Sequence, residues 1–270
     1  MFIVFYIIWG EMVKNIWQTT VKPRYPKGAV SSINTNFIHL HNPWVPAWWS
    51  AAFPGFGHIL QGIYIRGFLL IIWEFIVNIN SHLNTAIYYS FIGRFSDAKN
   101  VLDKRWALLY VGGYIYAIWD SYRISIDLNS LSRLSDLERL NMEPLKIDGI
   151  SINYFDKRNP WLAIIWSLLV PGTAQFYSHR LLTGFFILGW WMVTMYFSHL
   201  LEAVHFTFTG NFLQAAAVTD PEWLLFMPSI YGFAIYDAYS NTVEYNKLYD
   251  IEQAQHLRDN YQSANFKMPL

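Results

Sequence analysis

Slid along itself by 117 residues, the chain matches its own sequence. Asn42-Pro43-Trp44 falls on Asn159-Pro160-Trp161, Pro54-Gly55 on Pro171-Gly172, and Gly67-Phe68 on Gly184-Phe185. Ser81-His82-Leu83 falls on Ser198-His199-Leu200, Asp103 and Trp106 on Asp220 and Trp223, and Asp120 and Tyr122 on Asp237 and Tyr239. From 42 to 129, 28 of 88 positions are identical without a gap. A repeat of this quality decides the architecture before any local pattern does. The chain therefore divides into an N-terminal segment 1–32, a first unit 33–129, an amphipathic linker 130–149, a second unit 150–246 and a polar tail 247–270.

Composition says where such a unit belongs. Hydrophobic types make up 54% and charged types 14%, against roughly 25% charged in an ordinary soluble domain. The 13 Trp, 18 Tyr and 20 Phe exceed what one soluble core uses, and aromatic rings at the ends of apolar runs suit a bilayer interface. The expected fold is an all-α integral membrane protein. There is no Cys, so disulfides and thiolate sites are excluded. Charge balances to zero without a basic stripe, which argues against a nucleic-acid partner. Residues 1–17 read as a short span or an interfacial helix. Glu11 and Lys14 follow the apolar start at once, and the positive n-region and small-residue cleavage site expected of a signal peptide are not seen.

Each unit reads as three helical pieces. Piece a starts at Asn42 or Asn159, a side chain that caps the helix, followed by Pro43 or Pro160, whose missing N–H costs nothing there. It is interrupted at Pro54-Gly55 or Pro171-Gly172. Piece b, about Gly67 to Ile92 and Gly184 to Phe208, is expected to be one helix of about 39 Å at 1.5 Å per residue, enough to span. Piece c starts at the caps Asp103 and Asp220 and runs to about Asn129 and Asn246, with a bend expected in both copies near Gly112-Gly113 and Pro228. Leu131, Leu134, Leu137 and Leu140 form a stripe on a surface helix, and Leu145 to Ile152 resembles a small hairpin with an Asp-Gly turn.

Piece a either spans, which makes the copies inverted, or dips in and returns, which makes them parallel. The returning arrangement leaves only Arg94, Lys99, Lys104 and Arg105 on one side, with the other Lys and Arg residues on the side of the linker and tail. That asymmetry favours it, with linker and tail cytoplasmic.

The run Pro171-Gly172-Thr173-Ala174-Gln175-Phe176-Tyr177, with Gly184 and a late Asp237, resembles TM2-like bacterial membrane proteins, which carry a PGxGQxYxG-type motif. The first unit offers Pro54-Gly55-Phe56-Gly57-His58, Gly62, Gly67 and Asp120. Ala174, His58 and His179 depart from the pattern. The resemblance implies a multi-pass protein of the bacterial cytoplasmic membrane and brings no substrate or cofactor with it.

Polar groups inside apolar helices are the candidate sites, because they are costly in lipid and usually face protein or water. Asp120 and Asp237, with Tyr122 and Tyr239, could pair with His58, Gln175 or amides freed at the Pro-Gly break. They would form either an ion or proton site or a packing device. His82 and His199, with Glu202 and His205, form a candidate polar layer. The i, i+3, i+6 spacing of the last three is poor for one metal. Glu74 is polar in the first copy only, Trp191 taking its place in the second. Catalytic motifs are missing. The leading expectation is a non-enzymatic subunit or scaffold, without cofactor or metal, whose partners are the bilayer and other subunits or further copies. The alternatives are a small transporter or channel and, third, a membrane-embedded enzyme.

Overall fold

The computed structural model describes residues 24–138, 140, 142–149 and 151–262. The apolar segment 1–17 and the end of the tail lie outside these residues. The chain is mostly helical. The first copy opens with a hairpin of β1 (Gly28–Val30) and β2 (Thr35–Phe37). It continues through α1 (Trp44–Ala52), α2 (Phe56–Leu60), α3 (Tyr64–Ser81), α4 (Leu83–Phe91), α5 (Phe95–Val101) and α6 (Lys104–Asp136). The second has β3 (Leu145–Ile147), β4 (Ile152–Tyr154), α7 (Pro160–Leu169), α8 (Thr173–Tyr177), α9 (Leu181–Phe197), α10 (Leu200–Phe208), α11 (Phe212–Val218), α12 (Pro221–Leu224) and α13 (Phe226–Asn260). Both hairpins are antiparallel, with Gly28 opposite Phe37 and Leu145 opposite Tyr154. These registers also differ by 117, so each structural unit begins at its hairpin, ahead of 33 and 150. The stretch 130–136 belongs to α6, and most of the tail continues α13.

The breaks between helices recur as well. Backbone φ is positive at Gly55 and Gly172, at Gly62 and His179, at His82 and His199, and at Gly93 and Gly210, each pair one repeat apart. Gly55 is obligatory: a Cβ there would lie 2.4 Å from the carbonyl oxygen of Gly67. At Gly172 it would lie 2.7 Å from that of Gly184. The Pro-Gly turn is thus pressed against the first turns of α3 and α9, which accounts for the matched Gly67 and Gly184.

Hydrogen bonds along α6 show how the broken piece runs. His41 and Asn129 exchange two bonds, Trp44 packs edge-to-face with Tyr122, and Tyr114 donates to the Ala51 carbonyl. After the Pro-Gly turn, His58 lies against Asp120 and Gln61 donates to the Ser121 carbonyl. From level 122 to 114 is about 12 Å at 1.5 Å per residue, and the chain has returned to level 120 by residue 58. The second copy repeats this. Arg158 pairs with Asn246, Trp161 with Tyr239, Ser167 with the Ala234 carbonyl, and Gln175 with Asp237. Piece a therefore enters and reverses beside piece c.

Piece b differs from expectation. It is not one helix: it ends at Ser81 or Phe197, and the chain turns through His82 or His199 into a separate nine-residue helix. The bend between α9 and α10 is 61°. No single helix among the described residues is long and apolar enough to cross a membrane; only the bent pair α9–α10 has the apolar length. The start of piece c is tied to this break, since Asp103 and Asp220 donate from their backbone N–H to the Ser81 and Ser198 carbonyls. Asn159, Asp103 and Asp220 cap as expected, and Asn42 accepts from the Trp44 N–H in the manner of Asn159 with Trp161. The bend near Pro228 occurs only in the second copy, where α12 stops at Leu224, the residue whose carbonyl the proline ring displaces. The first copy is one continuous helix through Gly112-Gly113, and Trp73 packs where a Cβ of Gly113 would be, 2.3 Å away.

The main core lies between the copies and is aromatic. Phe53, Phe56, Ile71 and Phe75 of the first meet Ile187, Phe226, Ile230 and Phe233 of the second. Phe75 stacks on Trp190 and Phe68 on Phe186, both with centroids 3.9 Å apart. Such pairs add about 0.5–1.5 kcal/mol each beyond area burial.

Candidate functional site

Each copy buries one aspartate of piece c against its broken helix. Asp120 is 1% exposed and Asp237 fully buried. His58 Nε2 stands 3.2 Å from Asp120 Oδ2, and at the equivalent position Gln175 Nε2 donates to Asp237 Oδ2 at 2.9 Å. The pairing expected for His58 and Gln175 is present in both copies.

A buried carboxylate needs charge compensation as well as hydrogen bonds. Arginine supplies it from a different position each time. Arg66, in the first turn of α3, donates to Asp120 Oδ2 at 2.7 Å, and Arg123 donates to Oδ1 at 2.9 Å. Tyr116 Oη lies 3.3 Å from Oδ2. In the second copy Arg180, just before α9, donates to Asp237 Oδ2 at 2.6 Å, and Asn241 fills Oδ1 at 2.7 Å. Arg66 corresponds to Thr183 and Arg180 to Ile63, so a comparison of the copies hides these arginines. The readable signal was an arginine at the start of an apolar helix, in its first turn or just before it. With an arginine on every acid, the carboxylates are held ion pairs that join pieces a, b and c.

Tyr122 and Tyr239 do not join the acids. They pack against Trp44 and Trp161 at the mouths of α1 and α7. The expected polar layer is not formed either. His82, His199, Glu202 and His205 are exposed, and His82 and His199 serve as left-handed residues at the break in piece b. His199 Nδ1 lies 3.3 Å from Glu202 of its own turn. Among the described residues no cluster of three or more His, Asp or Glu is placed to hold a metal.

Glu74 is buried in a polar chain that crosses between copies. Asn78 donates to it at 2.9 Å, and Tyr110 Oη lies 3.3 Å away. Asn78 and Asn84 bond to each other, and Asn84 donates to the Glu222 carbonyl. The Thr85 N–H and hydroxyl both donate to Glu222 Oε2, at 2.8 and 2.6 Å.

No family model, curated protein or solved structure matches the chain.

At the opposite end, the first hairpin borders a half-open cavity of about 290 Å³ lined by Lys27, His39, His41, Tyr64, Arg180 and Asn241 among others. Two of these are partners of Asp237. The rings of His39 and His41 lie 3.8 Å apart. Burial lowers both to a pKa of about 4; Lys247 and Lys27 push His39 the same way, and His39 does so for His41. Both rings are therefore neutral near pH 7.

Proposed function

We propose that this chain is a non-catalytic membrane subunit or scaffold of TM2-like type, resident in the bacterial cytoplasmic membrane. One observation carries the reading: on α6 a band of exposed apolar side chains lies between charged residues at its two ends. From Trp106 to Trp119, α6 has no acidic or basic residue, and Leu108, Ile115 and Trp119 are exposed. Arg105 stands at one end of the band, with Arg123 and Asp127 at the other. The rise from Arg105 to Arg123 is about 27 Å, close to the ~30 Å of a bilayer core. In this reading the bent pair α9–α10 crosses, and α3, α6 and the α12–α13 unit, none of which has the apolar length alone, pass through the layer packed against it and one another. The α1–α2 and α7–α8 pieces are re-entrant, and the copies are parallel. Covering by protein is what allows irregular backbone at membrane depth, and the reversal beside α6 and α13 provides it. Arginine-neutralised aspartates favour holding over moving ions, which places the transporter reading second.

The test is topology in native vesicles. Single cysteines at His179 and Asp136 are expected to react from the cytoplasmic side, and one at Asn211 from the other. Labelling of 179 and 211 from the same side, or release of the protein by alkaline carbonate, would remove the reading.

A further inference from the structure

The contact between the two copies is not self-complementary. The first copy contributes the faces of α2 and α3, the second those of α9 and α13. A two-fold pairing would bury the equivalent residues on both sides, yet Phe185, the counterpart of core-packed Phe68, is 66% exposed, and Leu109, the counterpart of buried Phe226, is 56% exposed. A head-to-tail contact always leaves one half-interface open at each end, and such contacts close into rings or continue as filaments.

We propose that a second copy of this chain covers these ends, repeating the internal contact between the second unit of one copy and the first unit of the next. Shifting each internal pair by one repeat names the residues that would meet, and the pairs fit. Phe75 against Phe226 becomes Met192 against Leu109. Phe68 against Phe186 becomes Phe185 against Leu69. Trp49 against Tyr236 becomes Trp166 against Trp119. All six of these side chains are exposed. The polar pair fits too: Thr85 against Glu222 becomes Glu202 against Arg105, opposite charges where the internal pair is neutral against acid. Arg105 is exposed and has no ion-pair partner among the described residues, while Glu202 has only the neighbouring His199. This inference does not rest on the membrane reading, since a copy-to-copy contact covers these faces in either medium.

The absence of native cysteine makes the test direct. A chain carrying Leu109→Cys and Met192→Cys, oxidised in whole cells, is expected to give dimers and larger species on a non-reducing gel. Leu108→Cys with Leu213→Cys, also exposed but outside the mapped pairs, is expected to stay monomeric. Arg105→Glu in the cross-linking background is expected to cut the yield severalfold, and adding Glu202→Arg to restore it. Monomer at 109/192, as when lipid or another segment covers these faces, would overturn the proposal. So would equal yield from the control pair, or failure of the charge exchange to restore cross-linking in chains that still reach the membrane fraction. Cross-linking in a soluble fraction would keep this inference and remove the membrane reading.

Discussion

Removing the arginine of the second copy is expected to cost far more than removing either arginine of the first. Asp237 is fully buried, and among the described residues Arg180 is its only cationic partner, with a side chain 4% exposed. Arg180→Met leaves a buried carboxylate with two amide donors and no charge, a defect worth about 3–5 kcal/mol. Asp120 has three basic neighbours, of which Arg66 and Arg123 are both nearly half exposed. Arg66→Met leaves Arg123 and His58 in place, so about 1 kcal/mol is expected, in the range of partly solvated pairs. At roughly 2–4 °C per kcal/mol for a chain of this size, the gap between the variants is on the order of 10 °C. Thermal unfolding of purified protein in mild detergent, followed by tryptophan fluorescence, reads it directly. The double variant Arg180→Met with Asp237→Asn removes both charges and is expected to recover most of the loss. Equal melting of the Arg66 and Arg180 variants, or no recovery in the double variant, would refute the view of these acids as ion-paired fasteners.

Gly57→Ala places a Cβ 2.1 Å from the Pro46 carbonyl oxygen and is expected to reduce the yield of folded protein sharply. The reverse change in the second copy, Ala174→Gly, is expected to cost only about 1 kcal/mol, read as a small melting shift. His82→Gly and His199→Gly remove an imidazole but suit the left-handed backbone, so each is expected to hold or slightly raise the melting temperature; a marked drop would give the rings a role beyond the turn. Stability is expected to fall on acidification. With pKa values of about 4 in the folded chain and about 6.5 when unfolded, His39 and His41 contribute fully above pH 6.5. That contribution is lost as pH falls toward 4, by up to about 3 kcal/mol per ring. His39→Gln and His41→Gln are expected to flatten this limb of the pH profile of unfolding, and an unchanged limb would assign it to other groups.

What could be read from sequence was whatever both copies share. The Pro-Gly turn, the caps at Asn159, Asp103 and Asp220, the hairpin at Leu145 and the pairing of Asp120 and Asp237 with His58 and Gln175 all show as matched positions or as local chemistry. The break at His82 and His199 was also matched, but nothing local marks a histidine as a left-handed residue, so an apolar run read as one helix. Arg66 and Arg180 escaped because partner choice is a tertiary matter: both reach their aspartate from unmatched positions. The first hairpin, with Ser31-Ser32-Ile33-Asn34 at its turn, lacks the Asp-Gly signal of the second. Tyr122 and Tyr239 stand beside the acids in sequence, but two residues along a helix turn a side chain to another face.

The two guanidiniums reach matched carboxylates from positions three residues apart in the repeat. The counter-ion is thus portable around the start of the apolar helix, provided one remains in reach. Ile63→Arg with Arg66→Thr would rewrite the first unit in the idiom of the second. Duplication left each half free to solve the same electrostatic problem in its own way, and only the carboxylate itself was not negotiable.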